Sequence, residues 1–264
     1  MLAQRVVSAV VLLALVIPAA YLGGWWFFTV IMVAGLLAVH EMSGILHQAG
    51  LHPWLPALAL LTLGLVAAAQ FSELHLERPL LVLVLMAVST WQLSRPVEAR
   101  SLADWSLSVM PALYVCWLGG AVLLLRNAPH GWRWTLFMFF VVFTTDVAAY
   151  FGGRAFGRRQ FAPTISPKKT WEGAIIGWGY GALMAIGLAH FLQLPLNVGA
   201  ALGLGLVVSV VATLGDLFMS YIKRQAHVKD SSHLIPGHGG ILDRMDSILP
   251  AAAVVYLYIE WVAR

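Results

Sequence analysis

Apolar runs separated by short polar joints set the plan of this chain. Runs able to cross or nearly cross a bilayer cover residues 6–22, 25–39, 54–70, 80–93, 107–125, 134–151, 174–194, 196–219 and 248–262. A spanning helix needs about 20 predominantly apolar residues. The fourth and ninth runs are therefore short, and read as tilted partners, half-spans or helices extended by their flanks. The pattern predicts an all-α, polytopic integral membrane protein with nine transmembrane helices, eight being the alternative count. Small residues crowd 173–187 and 199–215, which lets helices approach closely there.

Composition agrees. The chain is 60% hydrophobic with a mean hydropathy of +0.82, against about 45–50% apolar residues in soluble domains. The first run follows Arg5 and could pass for a signal peptide. However, its Pro18-Ala19-Ala20-Tyr21 end is a poor cleavage site and more spans follow, so it reads as a retained first span. The single cysteine, Cys116, lies in an apolar run and supports no disulfide framework.

Charge sets the orientation. With nine spans, all but four of the 16 Lys and Arg fall on the side that carries the N-terminus. The exceptions are Arg78, Arg126, Arg133 and Arg264. The positive-inside rule places the N-terminus and the joints after the second, fourth, sixth and eighth spans in the cytoplasm. The net charge of +4 is small and its cations are clustered. This excludes general nucleic-acid binding, which wants a broad basic face, and suits a local site for a phosphorylated ligand or anionic lipid head groups.

Three polar clusters carry candidate chemistry. Asp216, Ser220, Lys223 and Arg224 are spaced i, i+4, i+7 and i+8, which is one helix face. They predict a polar stripe descending into the bilayer, where an ionisable residue points to function. The bland alternative is snorkelling cations with a structural acid.

The second cluster is PGHGGILDRMD, residues 236–246. Pro236 and Gly237 break any helix. Gly239 and Gly240 permit close approach of backbone N–H groups to an anion. His238 either binds phosphate or shapes the turn. Asp243 and Asp246 are placed at the start of the ninth helix, aimed at one cation, or serve as ordinary acids at a helix N-terminus. With Asp216 they suggest a magnesium–phosphate site. The histidine spacing does not match a zinc site.

The third cluster follows the sixth span. Asp146 and Tyr150 are i, i+4; Arg154, Arg158, Arg159, Lys168 and Lys169 follow, in a loop ending SPKKTWEG from Ser166 to Gly173. These cations either fix topology and attract anionic lipid or help hold a triphosphate or a lipid phosphate. Glu172 caps the next helix or pairs with Lys168. In the first half, His40, Glu41, His47 and His52 read as interfacial polar residues.

Residues 220–246 resemble the signature of phosphatidate cytidylyltransferases, also called CDP-diacylglycerol synthases. The elements are Ser220, Lys223-Arg224, Lys229-Asp230, His238-Gly239-Gly240, Asp243-Arg244 and Asp246. The segment from Asp146 to Gly173 is also similar to that family. The resemblance is strong over about residues 140–250 and rests on hydropathy and length before that. It implies CTP and phosphatidate as substrates, CDP-diacylglycerol and pyrophosphate as products, and Mg²⁺ as cofactor, with a second cation left open. In that reading Asp216, Asp243 and Asp246 hold the metal and, with Lys223 and Arg224, form the catalytic set. Ser220, Lys229, Asp230, His238, Gly239, Gly240, Arg244, Ser166, Lys168, Lys169 and Asp146 bind substrate. Residues 133–264 form the catalytic region; residues 1–132 serve as a scaffold, lipid-facing and dimer-forming region. The resemblance further implies a homodimer in the bacterial inner membrane. A CTP-dependent lipid kinase is the rival enzyme reading. A transporter is the rival of another class, although the repeat symmetry and paired broken helices of many transporters are not visible here.

Overall fold

The computed structural model describes residues 2–235 and 239–262. The expected turn at Pro236 and Gly237 and the candidate His238 lie outside them. The chain divides into two compact units, Met1–Leu124 with Gln225–Asp243, and Leu125–Arg224 with Arg244–Arg264.

In the first unit, α1 (Leu2–Leu22) and α2 (Gly24–Gln48) are separated by Gly23, whose φ of 67° breaks the helix. Next come α3 (Leu55–Gln70) and α4 (Glu77–Ser94). A Cβ at Gly64 would run into the Leu80 side chain, so α3 and α4 pack closely there. The fifth apolar run is not one even helix. It comprises α5 (Leu102–Leu107), α6 (Met110–Ala112), a π turn at Leu113–Trp117 and α7 (Leu118–Asn127). The break before α6 sits just ahead of Pro111, which lacks the N–H that a continuous helix needs. Asp104 ties down the neighbouring joints. Its carboxylate accepts the His52 N–H at 2.7 Å and pairs with Arg95 at 3.3 Å.

The second unit is built on α8 (Gly131–Phe156), α9 (Trp171–Phe191), α10 (Val198–Gln225) and α12 (Ile248–Trp261). The short α11 (Leu242–Met245) precedes α12. Small residues make the α8–α9 seam. A Cβ at Gly173 would stand 2.7 Å from the Ala149 carbonyl oxygen, and one at Gly177 would stand 2.8 Å from that of Thr145. One at Gly181 would collide with the Thr145 and Ser209 hydroxyls. Those hydroxyls form a buried hydrogen bond of 2.8 Å that joins α8 to α10. Gly205 lets α10 close on Ala182 and Ala185 of α9.

Each of the nine apolar runs falls largely on helix. Among the described residues, five stretches are long and apolar enough to cross a membrane: Gly24–Gln48, Leu102–Asn127, Gly131–Phe156, Trp171–Phe191 and Val198–Gln225. Val10–Leu22 and Leu55–Gln70 are shorter apolar helices. The chain is an all-α polytopic membrane protein, apart from one departure from the sequence pattern. The polar joint after α8 contains an antiparallel hairpin, β1 (Gln160–Ala162) and β2 (Ser166–Thr170).

Candidate active site

The second unit gathers a charged cluster from three elements. Asp146 on α8 and Asp216 on α10 each lie about 14–15 Å of helix from its C-terminal end, at about 1.5 Å per residue. Both are therefore inside stretches that can cross the bilayer. The third member comes from the hairpin. On β2, Pro167 and Lys168 are exposed while Lys169 and Thr170 are half-buried. The Lys169 ammonium donates to Asp216 Oδ2 at 2.5 Å. Ser220, one turn along α10, donates to Asp216 Oδ1 at 3.3 Å. Asp146 is within electrostatic reach of both Asp216 and Lys169.

The stripe expected from the i, i+4, i+7, i+8 spacing is present, because α10 is continuous through Arg224. Lys223 is buried and Arg224 exposed. Arg224 Nε donates to the Ile165 carbonyl at 3.2 Å, so the end of α10 holds the hairpin turn that precedes Ser166. Glu172 neither caps α9 nor is its carboxylate turned to Lys168; it ties down the joint after α8. Its Oε2 accepts the Arg158 and Arg159 N–H groups at 3.0 and 3.2 Å. Thr170 caps α9 through the Gly173 N–H at 3.2 Å. Aromatic edges complete the mounting. Phe161 meets Trp171 with ring centroids 4.4 Å apart, and Trp178 Nε1 donates to Thr213 Oγ1 at 3.1 Å. These bonds fix a polar hairpin beside a carboxylate that neither could hold alone.

Asp246 is in the same unit, buried, with Oδ1 accepting the Ser247 N–H at 2.8 Å. Arg244 is exposed. The expectation that Asp243 and Asp246 open the ninth helix is corrected: α12 begins at Ile248, and Asp243 lies on α11. The reason is local. The Asp246 side chain takes the next backbone N–H, a bond that competes with helix continuation. Pro250 then falls in the first turn of α12, where a missing N–H is tolerated.

The first unit holds the other polar cluster. Asp243 Oδ2 accepts from the Ser231 N–H at 2.9 Å, the Ser231 hydroxyl at 2.9 Å and the Gly240 N–H at 3.0 Å. Gly239 has a φ of +81°, which suits only glycine well. Its carbonyl accepts the Ile235 N–H at 2.8 Å. Lys229 and Asp230 are exposed on the loop. The residue that sequence reasoning passed over is Glu41. It is 5% exposed and accepts from Ser231, Ser232, Ile241 and Leu242. An acid ending an apolar run was the only signal, and such acids are ordinarily solvated. Among the described residues, no group of three or more His, Cys, Asp or Glu could hold a metal ion.

Comparison with known proteins matches this architecture. The cytidylyltransferase family model covers residues 3–262. The chain is 33% identical to a phosphatidate cytidylyltransferase of Brucella suis, over 97% of this chain and 93% of that protein. It is 34% identical to one from Synechocystis, over 97% and 96% of the two chains. The same identity holds for one from Pseudomonas aeruginosa, over 100% and 98%. With the match running almost from end to end, the chain belongs to the cytidylyltransferase family.

Proposed function

We propose that this chain transfers the cytidylyl group of CTP to phosphatidate, giving CDP-diacylglycerol and pyrophosphate. One observation carries the reading beyond family membership: the Asp146–Lys169–Asp216 cluster at membrane depth, assembled by the β1–β2 hairpin. A phosphate on a lipid and a phosphate on a soluble nucleotide must meet at such a level. An oxygen of the phosphatidate phosphate attacks the α-phosphorus of CTP. The bond from that phosphorus to the bridging oxygen breaks, and pyrophosphate leaves with its electron pair. A phosphate monoester is largely ionised near neutral pH, so the attacking oxygen needs no base. Both reactants are anionic, so charge neutralisation and positioning dominate. Lys169 supplies a cation beside Asp216, and Lys223 and Arg224 supply cations from the last turn of α10.

Magnesium fits the donor set in a particular way. This ion binds through one or two carboxylates plus substrate phosphates, rather than in an all-protein cage. Asp216 is the carboxylate we assign to it first, with Asp146 within reach and Asp246 in the same unit. Asp243 remains in the proposed set. Its Oδ2 already takes three protein donors, which makes it a loop organiser as well. When bound, the ion would offset negative charge on the substrate phosphates.

The same proposal puts the site on the cytoplasmic side of a bacterial inner membrane and the protein in a homodimer. The clustering of cations on the side of the N-terminus supports the orientation. Purified protein incubated with phosphatidate and CTP labelled at the α-phosphate tests the reaction. Label recovered in the lipid supports it. Label retained only in CDP, with γ-phosphate moving to a lipid alcohol, would establish the kinase alternative and sink this reading.

A further inference from the structure

We infer that Glu41, on α2, is a positioning residue that clasps the loop at residues 231–232 and 241–242 and sets the place of Asp243. The inference rests on the reading above that this loop serves cytidylyl transfer. Glu41 Oε1 accepts from Ser232 Oγ at 2.7 Å and the Ile241 N–H at 3.0 Å. Oε2 accepts from Ser231 Oγ and the Leu242 N–H, both at 2.9 Å. A carboxylate offers about four acceptor sites, and four donors of this loop lie against them. Two donors come from residues 231–232 and two from residues 241–242, so one side chain ties these two stretches together. That side chain is buried, so the closure is not diluted by water.

The clasp connects directly to the signature acid. Ser231 Oγ stands 2.9 Å from Glu41 Oε2 and also 2.9 Å from Asp243 Oδ2. Its single proton serves one at a time, and it joins the two carboxylates in one junction. Moving Glu41 therefore moves Ser231, and with it the donors around Asp243 Oδ2. Gly240 belongs to the same junction, since a Cβ there would collide with Glu41 Oε2 and Ser231 Oγ. The glycine in the signature thus makes room for an acid from 199 residues earlier in the chain. Glu41 acts through these contacts and not on substrate, because its own acceptor sites are used.

The test is Glu41→Gln in the full-length protein in detergent. An amide nitrogen accepts nothing, so two of the four donors lose their partner. Supporting groups behind functional carboxylates typically matter by roughly 10–100-fold. The expected result is a kcat lower by about that factor, KM for phosphatidate within about twofold, and faster hydrogen exchange at the Gly240, Ile241 and Leu242 amides. Glu41→Asp, which keeps the carboxylate, should recover part of the loss. Faster exchange with kcat within twofold of wild type would reduce Glu41 to an anchor and overturn the inference. So would slow turnover with unchanged exchange. If Glu41→Gln does not accumulate as folded protein, Ser231→Ala and Ser232→Ala carry the same test, and unchanged kcat in both refutes it. Wild-type protein that moves no α-label to lipid would instead sink the functional reading, while the exchange measurement still decides whether the clasp exists.

Discussion

Replacing Lys169 by methionine separates what the hairpin does for chemistry from what it does for stability. The substitution keeps an unbranched apolar side chain of similar length and deletes the ammonium 2.5 Å from Asp216. Both side chains of the pair are roughly a third open, at 28% and 31%. A partly open pair that water can reach contributes about 0–1 kcal/mol. The hairpin keeps its strand pairing and its Arg224, Glu172 and Thr170 bonds. The stability loss should then be on the order of 1 kcal/mol, a Tm shift of roughly 2–4 °C for a chain of this size. The catalytic loss should be larger. Removing one group aimed at developing charge costs about 2.7–4 kcal/mol, or roughly 10²–10³ in kcat. Initial rates of α-label transfer to phosphatidate, beside thermal unfolding followed by tryptophan fluorescence, read the two losses separately. Lys169→Arg should recover little, because a planar fork does not reproduce a compact ammonium. A Lys169→Met enzyme within threefold of wild-type turnover would refute the catalytic role of the cluster. A Tm drop above about 10 °C would instead make Lys169 a structural residue.

Asp216→Asn and Asp246→Asn should each remove nearly all transfer while membrane insertion persists, and chelation with EDTA should abolish wild-type activity until Mg²⁺ is restored; either variant with near-normal turnover loses its place in the metal set. Gly181→Val should destabilise the second unit by about 1–3 kcal/mol through overpacking, since its Cβ meets the Thr145–Ser209 hydrogen bond. Gly187→Val, where a Cβ meets nothing within 4 Å, should leave thermal unfolding almost unchanged.

The sequence exposed those parts of the site whose partners are close along the chain. Ser220 and Asp216 sit four apart on a helix that the apolar run already demanded, and their hydrogen bond is a local event. The glycines of residues 173–187 announced a close helix seam for the same reason. Lys169 was named as a cation of the loop, but its partner lies 47 residues on and depends on a hairpin of three and five residues. Strands that short carry too little alternation to show as a pattern. Glu41 stayed hidden for a related reason. Its contacts are 190–201 residues away, and nothing local distinguishes a buried acid at a helix end from a solvated one. The start of the last helix was misplaced because Asp and Ser suit a cap and a break equally well, and only the side-chain bond to Ser247 decides.

The α8–α9 seam also governs traffic. Backbone meets backbone at Gly173 and Gly177, which leaves no slot wide enough for a hydrocarbon tail between these two helices. Phosphatidate diffusing in the leaflet therefore meets a wall on that flank of Asp146. It must reach the cluster from another side, and its product must leave by a route that avoids the seam. A pair of glycines placed for packing thus confines the direction in which a lipid can approach.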